Sequence, residues 1–389
     1  MLLRLGLVLL LVCVSSCTLS RSDKKKKVDN SEPASGAIDK DVLERGLVTE
    51  KPKWKEVVEN HAAYHKTSHR AINHMNLAYV TPWNNHGYDV AKLLGGKFTH
   101  VSPVWLQVRW GPDGTLVTQG EHDIDQGWVR DVRRAGASAG VKIVPRLLFD
   151  GWQPAHFREL FESASKRQQL AADIVNLIKK HGFDGIVLEV WSQVPTASLL
   201  QRTPTLIREL AMAVREAGYV FILVIPPPVY LKNSPGSFTR EHFQELIDAV
   251  DALSLMTYDF SSFQNPGPNS PLWWMKDCVE MLEPDATSPN RAKILMGMNL
   301  YGLDHSVTGG SHVLGQQFLQ ILTTYKPKFT FDRASQEHFI EYKTKTGRHV
   351  CFYPTLYSLS VRVNLANDLG TGVSLWEIGQ GLDYFYDLL

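Results

Sequence analysis

The sequence lacks the motifs that support metal, redox or nucleotide chemistry. It has only four cysteines in 389 residues, and it contains no CxxC pair, no HExxH motif and no glycine-rich phosphate loop. Such motifs provide metal ligands or cradle phosphate groups with backbone amides, so we predict no metal and no organic cofactor. Cys278 and Cys351 lie in predicted elements, where lone cysteines are typical of unpaired core residues, although one disulfide between them stays open.

An excess of charge of either sign is also absent. The chain carries 41 Lys and Arg against 40 Asp and Glu, which gives a formal net charge of +1. A protein without a basic field does not attract nucleic acid or an anionic membrane surface, and neither partner is predicted. The one dense basic block, residues 24–27, has Ser, Asp, Asn and Pro around it, which is typical of a solvated tail.

A hydrophobic run long enough to cross a membrane is absent as well. Residues 1–17 combine Arg4, an apolar run to Val14 and then small residues, the pattern of a secretory signal peptide. The run is shorter than the roughly 20 residues that a bilayer core requires, so no membrane span is predicted. We expect a protein of the secretory pathway, with a polar, partly flexible segment at residues 18–69 that contains one short helix near residues 54–64.

From about residue 70 onward, short apolar runs alternate with helix-like segments. The runs are nearly continuous in hydrophobicity and rich in β-branched and aromatic residues, as in parallel strands covered on both faces. They read INHMNLAYV, FTHVSPVWL, VKIVPRLLF, FDGIVLEVW, YVFILVIPP, VDALSLMTYD, AKILMGMNLYG and GVSLWEI. Eight strands alternating with helices predict an α/β fold, a (β/α)8 TIM barrel over residues 70–389. A doubly wound sheet is disfavoured, because the first turn, YVTPWNNHG, is not a phosphate-binding one.

Residues 303–355 are too many for a simple loop between the seventh and eighth strands. They contain strand-like segments with a turn at Thr346–Gly347. We predict a small β insertion here that forms one wall of a cleft.

Five strand-end segments resemble those of glycoside hydrolase family 18, the chitinase family. They are FTHVSPVW, FDGIVLEVW, LMTYDF, GMNLYG and GVSLWEIG, in this order and at barrel spacing. The resemblance implies a barrel that cleaves β-linked N-acetylglucosamine polymers, in which the sugar's own acetamide oxygen attacks C1 while a glutamic acid protonates the leaving oxygen. It also implies a cis peptide bond near Trp376–Glu377.

The fourth strand departs from the family pattern Asp-Gly-x-Asp-x-Asp-x-Glu. Asp184 and Gly185 match, but Val187, Glu189 and Trp191 replace the three following acids. An indole N–H is too weak an acid to protonate a leaving group, so no catalytic residue is predicted and the chain is not expected to be an enzyme. By strand alternation, we expect Glu189 to lie about 6–7 Å below the usual acid, covered by Trp191. It is the one weak catalytic candidate.

Other family positions that contact sugar are retained. By resemblance, Tyr258 and Asp259 hold the acetamide, Tyr301 matches the family's strand-seven tyrosine, and Trp376 matches the strand-eight tryptophan at the floor of the central subsite. Tryptophans just past the first three predicted strands are expected at the rim, where aromatic faces suit the apolar faces of sugars. The predicted saccharide-binding residues are Trp83, Trp105, Trp152, Glu189, Trp191, Tyr258, Asp259, Tyr301 and Trp376.

Three functions remain open on this basis. The first is a catalytically inactive, chitinase-like lectin that binds N-acetylglucosamine-type or bacterial oligosaccharides, with a role in innate immunity. The second is an active glycosidase that uses a displaced carboxylate, Glu189 or Asp259. The third is a protein-interaction barrel with a vestigial groove. The resemblance also implies a scavenger-receptor partner of the stabilin type and a secreted or lysosomal location.

Overall fold

The structure is a computed structural model that describes residues 34–307 and 309–389. The predicted signal peptide, residues 1–17, lies outside the described residues.

The described chain alternates strands and helices along most of its length. The strands are β1 (Ser35–Ile38), β2 (Ala62–His65), β3 (Asn76–Val80), β4 (His100–Pro103), β5 (Leu106–Trp110), β6 (Leu116–Gln119), β7 (Lys142–Ile143), β8 (Arg146–Phe149), β9 (Gly185–Glu189), β10 (Val220–Ile225), β11 (Ala252–Leu255), β12 (Ile294–Asn299), β13 (Gly302–Ser306), β14 (Gly309–Val313), β15 (Phe329–Asp332), β16 (Glu337–Thr344), β17 (Gly347–Phe352) and β18 (Gly372–Trp376). The α-helices are α1 (Trp54–Asn60), α2 (Asn85–Leu94), α3 (Gln126–Ala135), α4 (Pro154–Glu162), α5 (Ala164–His181), α6 (Ala197–Leu200), α7 (Thr203–Glu216), α8 (Arg240–Leu246), α9 (Leu272–Leu282), α10 (Gly315–Tyr325) and α11 (Leu356–Leu369). Short 3₁₀ segments lie at Gly95–Lys97, Glu121–Asp123, Ala137–Ala139, Trp191–Gln193, Leu231–Asn233, Pro289–Lys293 and Asp383–Leu388.

A continuous ring of parallel pairings closes the barrel. β3 pairs with β4, and β18 pairs with both β3 and β12. The second barrel strand consists of β4 followed by β5, and the third consists of β7 followed by β8, with β4 paired to β7 and β5 paired to β8. From β8 the ring continues through β9, β10, β11 and β12. Eight strand positions joined in a ring confirm the (β/α)8 prediction and exclude the doubly wound sheet.

The second barrel strand changes its inward and outward alternation at the gap between β4 and β5. Val104 lies with the apolar side chains inside the barrel, whereas Trp105 and Leu106 both lie in the outer core between strands and helices. In the third strand, the gap before β8 contains Pro145, which has no N–H to give to a strand ladder. The barrel interior is filled by Leu77, Tyr79, Val104, Val144, Val187, Ile222, Val224, Ala252 and Leu295.

The insertion between β12 and β18 is a five-stranded antiparallel sheet with the order β14-β13-β17-β16-β15. The predicted insertion is therefore present, and its β16–β17 hairpin turns between Thr344 and Gly347, at the predicted turn. The helix α10 within it was not predicted. It forms because Phe318, Leu319 and Leu322 are buried along one of its faces.

Residues 34–69 contain secondary structure of their own. β1 pairs in parallel with β2, and α1 lies between them, within the predicted helical stretch. The C-terminal 3₁₀ segment adjoins β2, where the His65 N–H donates to Asp387 Oδ1 at 2.7 Å. Cys278 and Cys351 are both buried and unpaired. Within the described ranges, no helix combines the length and apolarity needed to cross a membrane.

Candidate functional site

The fourth barrel strand ends earlier than its sequence pattern predicts. β9 stops at Glu189, and Val190 leaves the extended conformation with φ −132° and ψ −35°, starting a 3₁₀ turn. Strand alternation therefore does not carry on to Trp191. The prediction that Trp191 points into the barrel above Glu189 is wrong, since this side chain is 1% exposed and belongs to the outer core.

The partners of Trp191 explain its position. Its ring packs edge-on against Phe238 and His242, each at 4.8 Å between centroids, and its Nε1 donates to Ser237 Oγ at 3.2 Å. The apolar body and the polar N–H of the indole are therefore both satisfied within the protein. Trp191 consequently has neither a free ring face nor a free N–H group with which to bind a ligand.

An ion pair joins the neighbouring strands β8 and β9 on the inner face of the barrel. Glu189 Oε2 lies 2.9 Å from Arg146 Nη1, and the two side chains are 18% and 11% exposed. Arg146 on β8 points inward because it alternates with Leu147 and Phe149, which lie in the outer core. Sequence reasoning missed Arg146, although its two-residue spacing from the inward Val144 was the available signal.

A tyrosine and an aspartate meet at the ends of the sixth and seventh strands. Tyr301 Oη donates to Asp259 Oδ1 at 2.5 Å, and the rings of Tyr258 and Tyr301 pack at 6.4 Å between centroids. Burial raises the pKa of both phenols well above 10, and the Asp259 charge adds to the rise for Tyr301. Both hydroxyls therefore stay protonated and act as hydrogen-bond donors near neutral pH.

Trp376 at the end of β18 remains partly exposed at the barrel mouth. Its ring lies 5.2 Å from that of Tyr79, whose hydroxyl donates to Ser254 Oγ at 2.8 Å. The peptide bond between Trp376 and Glu377 is cis, as the family resemblance implied. Tyr79 was missed by sequence reasoning, although its two-residue spacing from Leu77 on the first strand predicts the same inward face.

Glu377 is a third residue that sequence reasoning missed. It is fully buried, and it accepts hydrogen bonds from Asn84 Nδ2 at 2.7 Å and from the Gly379 N–H at 2.9 Å. Burial raises the pKa of its carboxyl to about 7. Asn84 follows Trp83 in the loop after β3, so Glu377 ties this loop to the end of the eighth strand. Trp83 itself is 69% exposed, and its predicted place at the rim stays a prediction.

Trp105 lies in the core, contrary to its predicted place at the rim. Its side chain is fully buried, packs 5.6 Å from the Trp128 ring and donates from Nε1 to Tyr88 Oη at 2.7 Å. The change of alternation after Val104 turns the indole towards the helices rather than the mouth.

Trp152 is buried in the same way, also contrary to prediction. Only 9% of it is exposed, and its ring packs 4.6 Å from Phe149 and 5.0 Å from Phe157. Its Nε1 donates to the Val108 carbonyl at 2.7 Å. The helix α4 begins two residues later and brings Phe157 over the indole.

The structure therefore brings five of the nine predicted residues to the mouth of the barrel, from the fourth, sixth, seventh and eighth strands. They are Glu189, Tyr258, Asp259, Tyr301 and Trp376. Together they offer an aromatic face, the phenolic donor of Tyr258 and carboxylate acceptors, groups suited to a ligand with apolar faces and polar edges. In the described part of the chain, no three His, Cys, Asp or Glu side chains are grouped so that they could hold a metal ion.

The closed barrel carries acidic and aromatic side chains at one mouth, and TIM-barrel enzymes build their active sites at such an end of the barrel. Comparison with known proteins defines the class more closely. The model of the glycosyl hydrolases family 18 matches residues 75–381, and the chain belongs to this family.

Three known proteins illustrate the relationship. Chitinase 1 of Aphanocladium album is 25% identical over 280 residues, which cover 62% of this chain and 64% of that protein. The cortical fragment-lytic enzyme of Bacillus subtilis is 24% identical over 231 residues, 57% of this chain and 52% of that enzyme. This chain thus spans less than two thirds of either relative. A chitinase structure from Cycas revoluta in complex with (GlcNAc)3 has a TM-score of 0.65 and 18% identity, covering 80% of this chain and 97% of that one.

Proposed function

We propose that this chain is a chitinase-like lectin that binds N-acetylglucosamine-type or bacterial oligosaccharides at the barrel mouth and does not hydrolyse them. The ion pair between Arg146 and Glu189 is the observation that carries the proposal. Where the family pattern has its row of acids, this chain has one carboxylate bound to a guanidinium at 2.9 Å.

The missing acid supports the absence of hydrolysis. A general acid has to come within about 3 Å of the leaving oxygen, and it has to deliver a proton to it. Residue 191 supplies no carboxyl group, and its indole is held in the outer core. The related proteins are named as chitinases and lytic enzymes. We infer that this chain differs from them at the fourth strand.

Glu189 deserves consideration as a displaced acid, because it ends its strand and is not covered by Trp191. Its depth below the mouth is therefore no argument against it. The Arg146 guanidinium is the stronger argument, since it already engages one carboxylate oxygen and both side chains are largely buried. We propose that Glu189 shapes the floor of the groove.

Family residues retained at the ends of the sixth, seventh and eighth strands, on the opposite side of the barrel mouth from Glu189, support ligand binding. The Tyr301–Asp259 hydrogen bond leaves the second Asp259 oxygen to accept an N–H, and an acetamide group supplies one. Trp376 is partly exposed, and an aromatic side chain suits the apolar face of a pyranose. The chitinase of Cycas revoluta was solved with (GlcNAc)3, a ligand of this class.

The proposed setting is the secretory pathway or the lysosome, with a role in innate immunity and a scavenger receptor of the stabilin type as partner. This part of the proposal rests on the signal-like residues 1–17 and on the family resemblance. Uptake of the labelled protein by cells with and without such a receptor tests it.

The decisive test measures binding and hydrolysis on one preparation. Isothermal titration with the tetramer of N-acetylglucosamine is expected to give saturable binding, while product analysis after long incubation shows no cleavage above a boiled control. Cleavage that disappears in Glu189→Gln establishes the displaced acid instead. A folded protein that neither binds nor cleaves supports the interaction barrel.

A further inference from the structure

The loop that carries Asp259 is fixed by one buried asparagine. The Asp259 N–H donates to Asn269 Oδ1 at 2.7 Å, and the Phe260 N–H donates to the Asn269 carbonyl at 2.8 Å. Asn269 is only 1% exposed. It therefore holds the two peptide groups that flank the Asp259 side chain.

Glu337, the first residue of β16 in the insertion, holds this asparagine in turn. Its carboxylate oxygens accept from the Ser270 N–H at 2.6 Å and from the Asn269 N–H at 3.1 Å. The Glu337 side chain is 10% exposed, so these peptide donors replace most of the water that a carboxylate would otherwise bind. Hydrogen bonds of this charge-assisted kind are stronger than neutral ones.

Arg362 on α11 completes the network. Its Nη2 lies 3.2 Å from Glu337 Oε1 and donates to the Ser270 carbonyl at 2.5 Å, while Nη1 donates to the Ser358 carbonyl at 2.6 Å. The arginine side chain is 4% exposed. Desolvation makes such a buried pair a weak source of stability, so the pair is better explained by what it holds in place.

The backbone conformation of Asp259 is one that the surrounding structure has to stabilise. Its φ is +58°, in the left-handed region that residues other than glycine seldom adopt. Such conformations persist where the surrounding structure imposes them, and they gather at functional sites. With this φ, the Asp259 carboxylate meets Tyr301 Oη at 2.5 Å at the barrel mouth.

We propose that Asn269 and the Glu337–Arg362 pair are positioning residues that set the direction of the Asp259 carboxylate and so make the mouth selective for N-acetylated sugars. The inference rests on the proposed function, because that function supplies the ligand. The network contacts no sugar itself. It acts through the Asp259 backbone, from an insertion strand and a helix that lie far from Asp259 in the sequence.

The first test compares two ligands of equal length and linkage, the β-1,4 tetramers of N-acetylglucosamine and of glucose. Isothermal titration of the full chain gives the ratio of the two affinities. Asp259→Asn is the reference variant, and it is expected to lower the ratio about tenfold because a hydrogen bond to a charged group is lost. Asn269→Ala and Glu337→Gln are expected to lower the ratio similarly, with little change for the glucose tetramer.

Two matched controls separate positioning from general destabilisation. Glu209→Gln neutralises the partner of Arg167 in an ion pair between α5 and α7, and Asn76→Ala removes a buried amide at the start of β3. Neither residue contacts the Asp259 loop, so both variants are expected to keep the parent's ratio. Equal loss of affinity for both sugars in Asn269→Ala, or an unchanged ratio, overturns the positioning role. If Glu337→Gln does not fold, the affinity ratio measured for Asn269→Ala decides whether the network positions Asp259.

A second measurement needs no ligand. Amide hydrogen exchange by NMR is expected to show that Asn269→Ala exposes the Asp259 amide, with exchange at least about tenfold faster than in the parent, because its acceptor is gone. Unchanged protection overturns the inference even if the parent binds sugar. A parent that binds neither tetramer contradicts the proposed function, and the exchange result still decides whether Asn269 positions Asp259.

Discussion

The two sides of the barrel mouth differ in where their aromatic side chains find partners. On the side of strands two to four, the indoles of Trp105, Trp152 and Trp191 are buried, and each N–H donates to a group of the protein. On the side of strands six to eight and the adjoining first strand, Trp376 is partly exposed and Asp259 is exposed.

The difference teaches that an aromatic residue near a strand end is not by itself a binding residue. Once an indole has its ring packed and its N–H bonded, it has nothing left to offer a ligand. We therefore infer that the side of strands two to four supports the fold, and that the side of strands six to eight carries the recognition.

The largest expected effect comes from breaking the Arg146–Glu189 ion pair. Arg146→Met leaves the Glu189 carboxylate largely buried without its guanidinium, and we expect a loss of about 3 kcal/mol in the free energy of unfolding. Urea denaturation measures it. Arg167→Met is the matched control, because its partner Glu209 is 35% exposed and retains water when the arginine is removed. Equal losses of unfolding free energy in the two variants would mean that leaving Glu189 without its arginine costs no more than leaving the more exposed Glu209 without its own.

The next effect concerns Glu377, which ties the Trp83 loop to the eighth strand. Its pKa rises from 4.5 to about 7 in the folded protein because it is buried. Between these pH values the folded chain binds a proton that the unfolded chain has lost. The stability contributed by Glu377 is therefore complete below about pH 4.5 and falls as the pH rises through 7.

Comparison with Glu377→Gln isolates this contribution. The difference in unfolding free energy between parent and variant is expected to change by about 2 kcal/mol between pH 5 and pH 7.5, with the parent losing stability as the pH rises. Burial lowers the pKa of His100 to about 4, which gives a slope of the opposite sign between about pH 4 and 6.5. That slope is common to both proteins and cancels. A pH-independent difference would contradict the burial of a titrating carboxyl.

The sequence predicts the barrel and the insertion well because both depend on repeated local patterns. Near-continuous apolar runs and helix-like segments alternate, and closing them into a ring buries every run. The strand-end residues Tyr258, Asp259, Tyr301 and Trp376 lie where the motifs place them. In each of these cases, the motif includes the strand that positions the residue.

The predicted positions of residues were wrong where a strand departs from the regular inward and outward alternation of its side chains. Nothing in FDGIVLEVW shows that the strand ends at Glu189, because Val190 and Trp191 are good strand formers and the turn depends on packing against Phe238 and His242. The same holds for Trp105, which follows a change in alternation. Arg146 was missed because its partner lies 43 residues away.

Ligand binding gives the third effect. Trp376→Ala is expected to weaken binding of the N-acetylglucosamine tetramer about tenfold, because an exposed aromatic face is lost. Trp191→Phe is the matched substitution on the other side, and it is expected to leave the affinity within about twofold while it lowers the unfolding free energy. Isothermal titration and urea denaturation measure the two effects. The reverse result, with binding lost in Trp191→Phe alone, would place recognition on the side of strands two to four.

The smallest effect is expected for Trp83, the most exposed tryptophan of the predicted set. It is 69% exposed, so Trp83→Ala removes few contacts within the protein, and the free energy of unfolding should change by less than about 0.5 kcal/mol.

Trp83 follows β3, whose neighbour in the barrel is β18, so a sugar chain on Trp376 that extends towards the first strand meets this indole. A stacking contact at such an open position is worth little, and we expect a twofold to threefold loss of affinity, about 0.5 kcal/mol. The loss should appear with a hexamer of N-acetylglucosamine and vanish with a dimer that occupies only the Trp376 position. Met212→Ala replaces an apolar residue on α7 that is 58% exposed, and it should change neither affinity. If Trp83→Ala instead weakens the dimer as strongly as Trp376→Ala does, the two tryptophans form one central platform, and the recognition side of the mouth begins at the first strand.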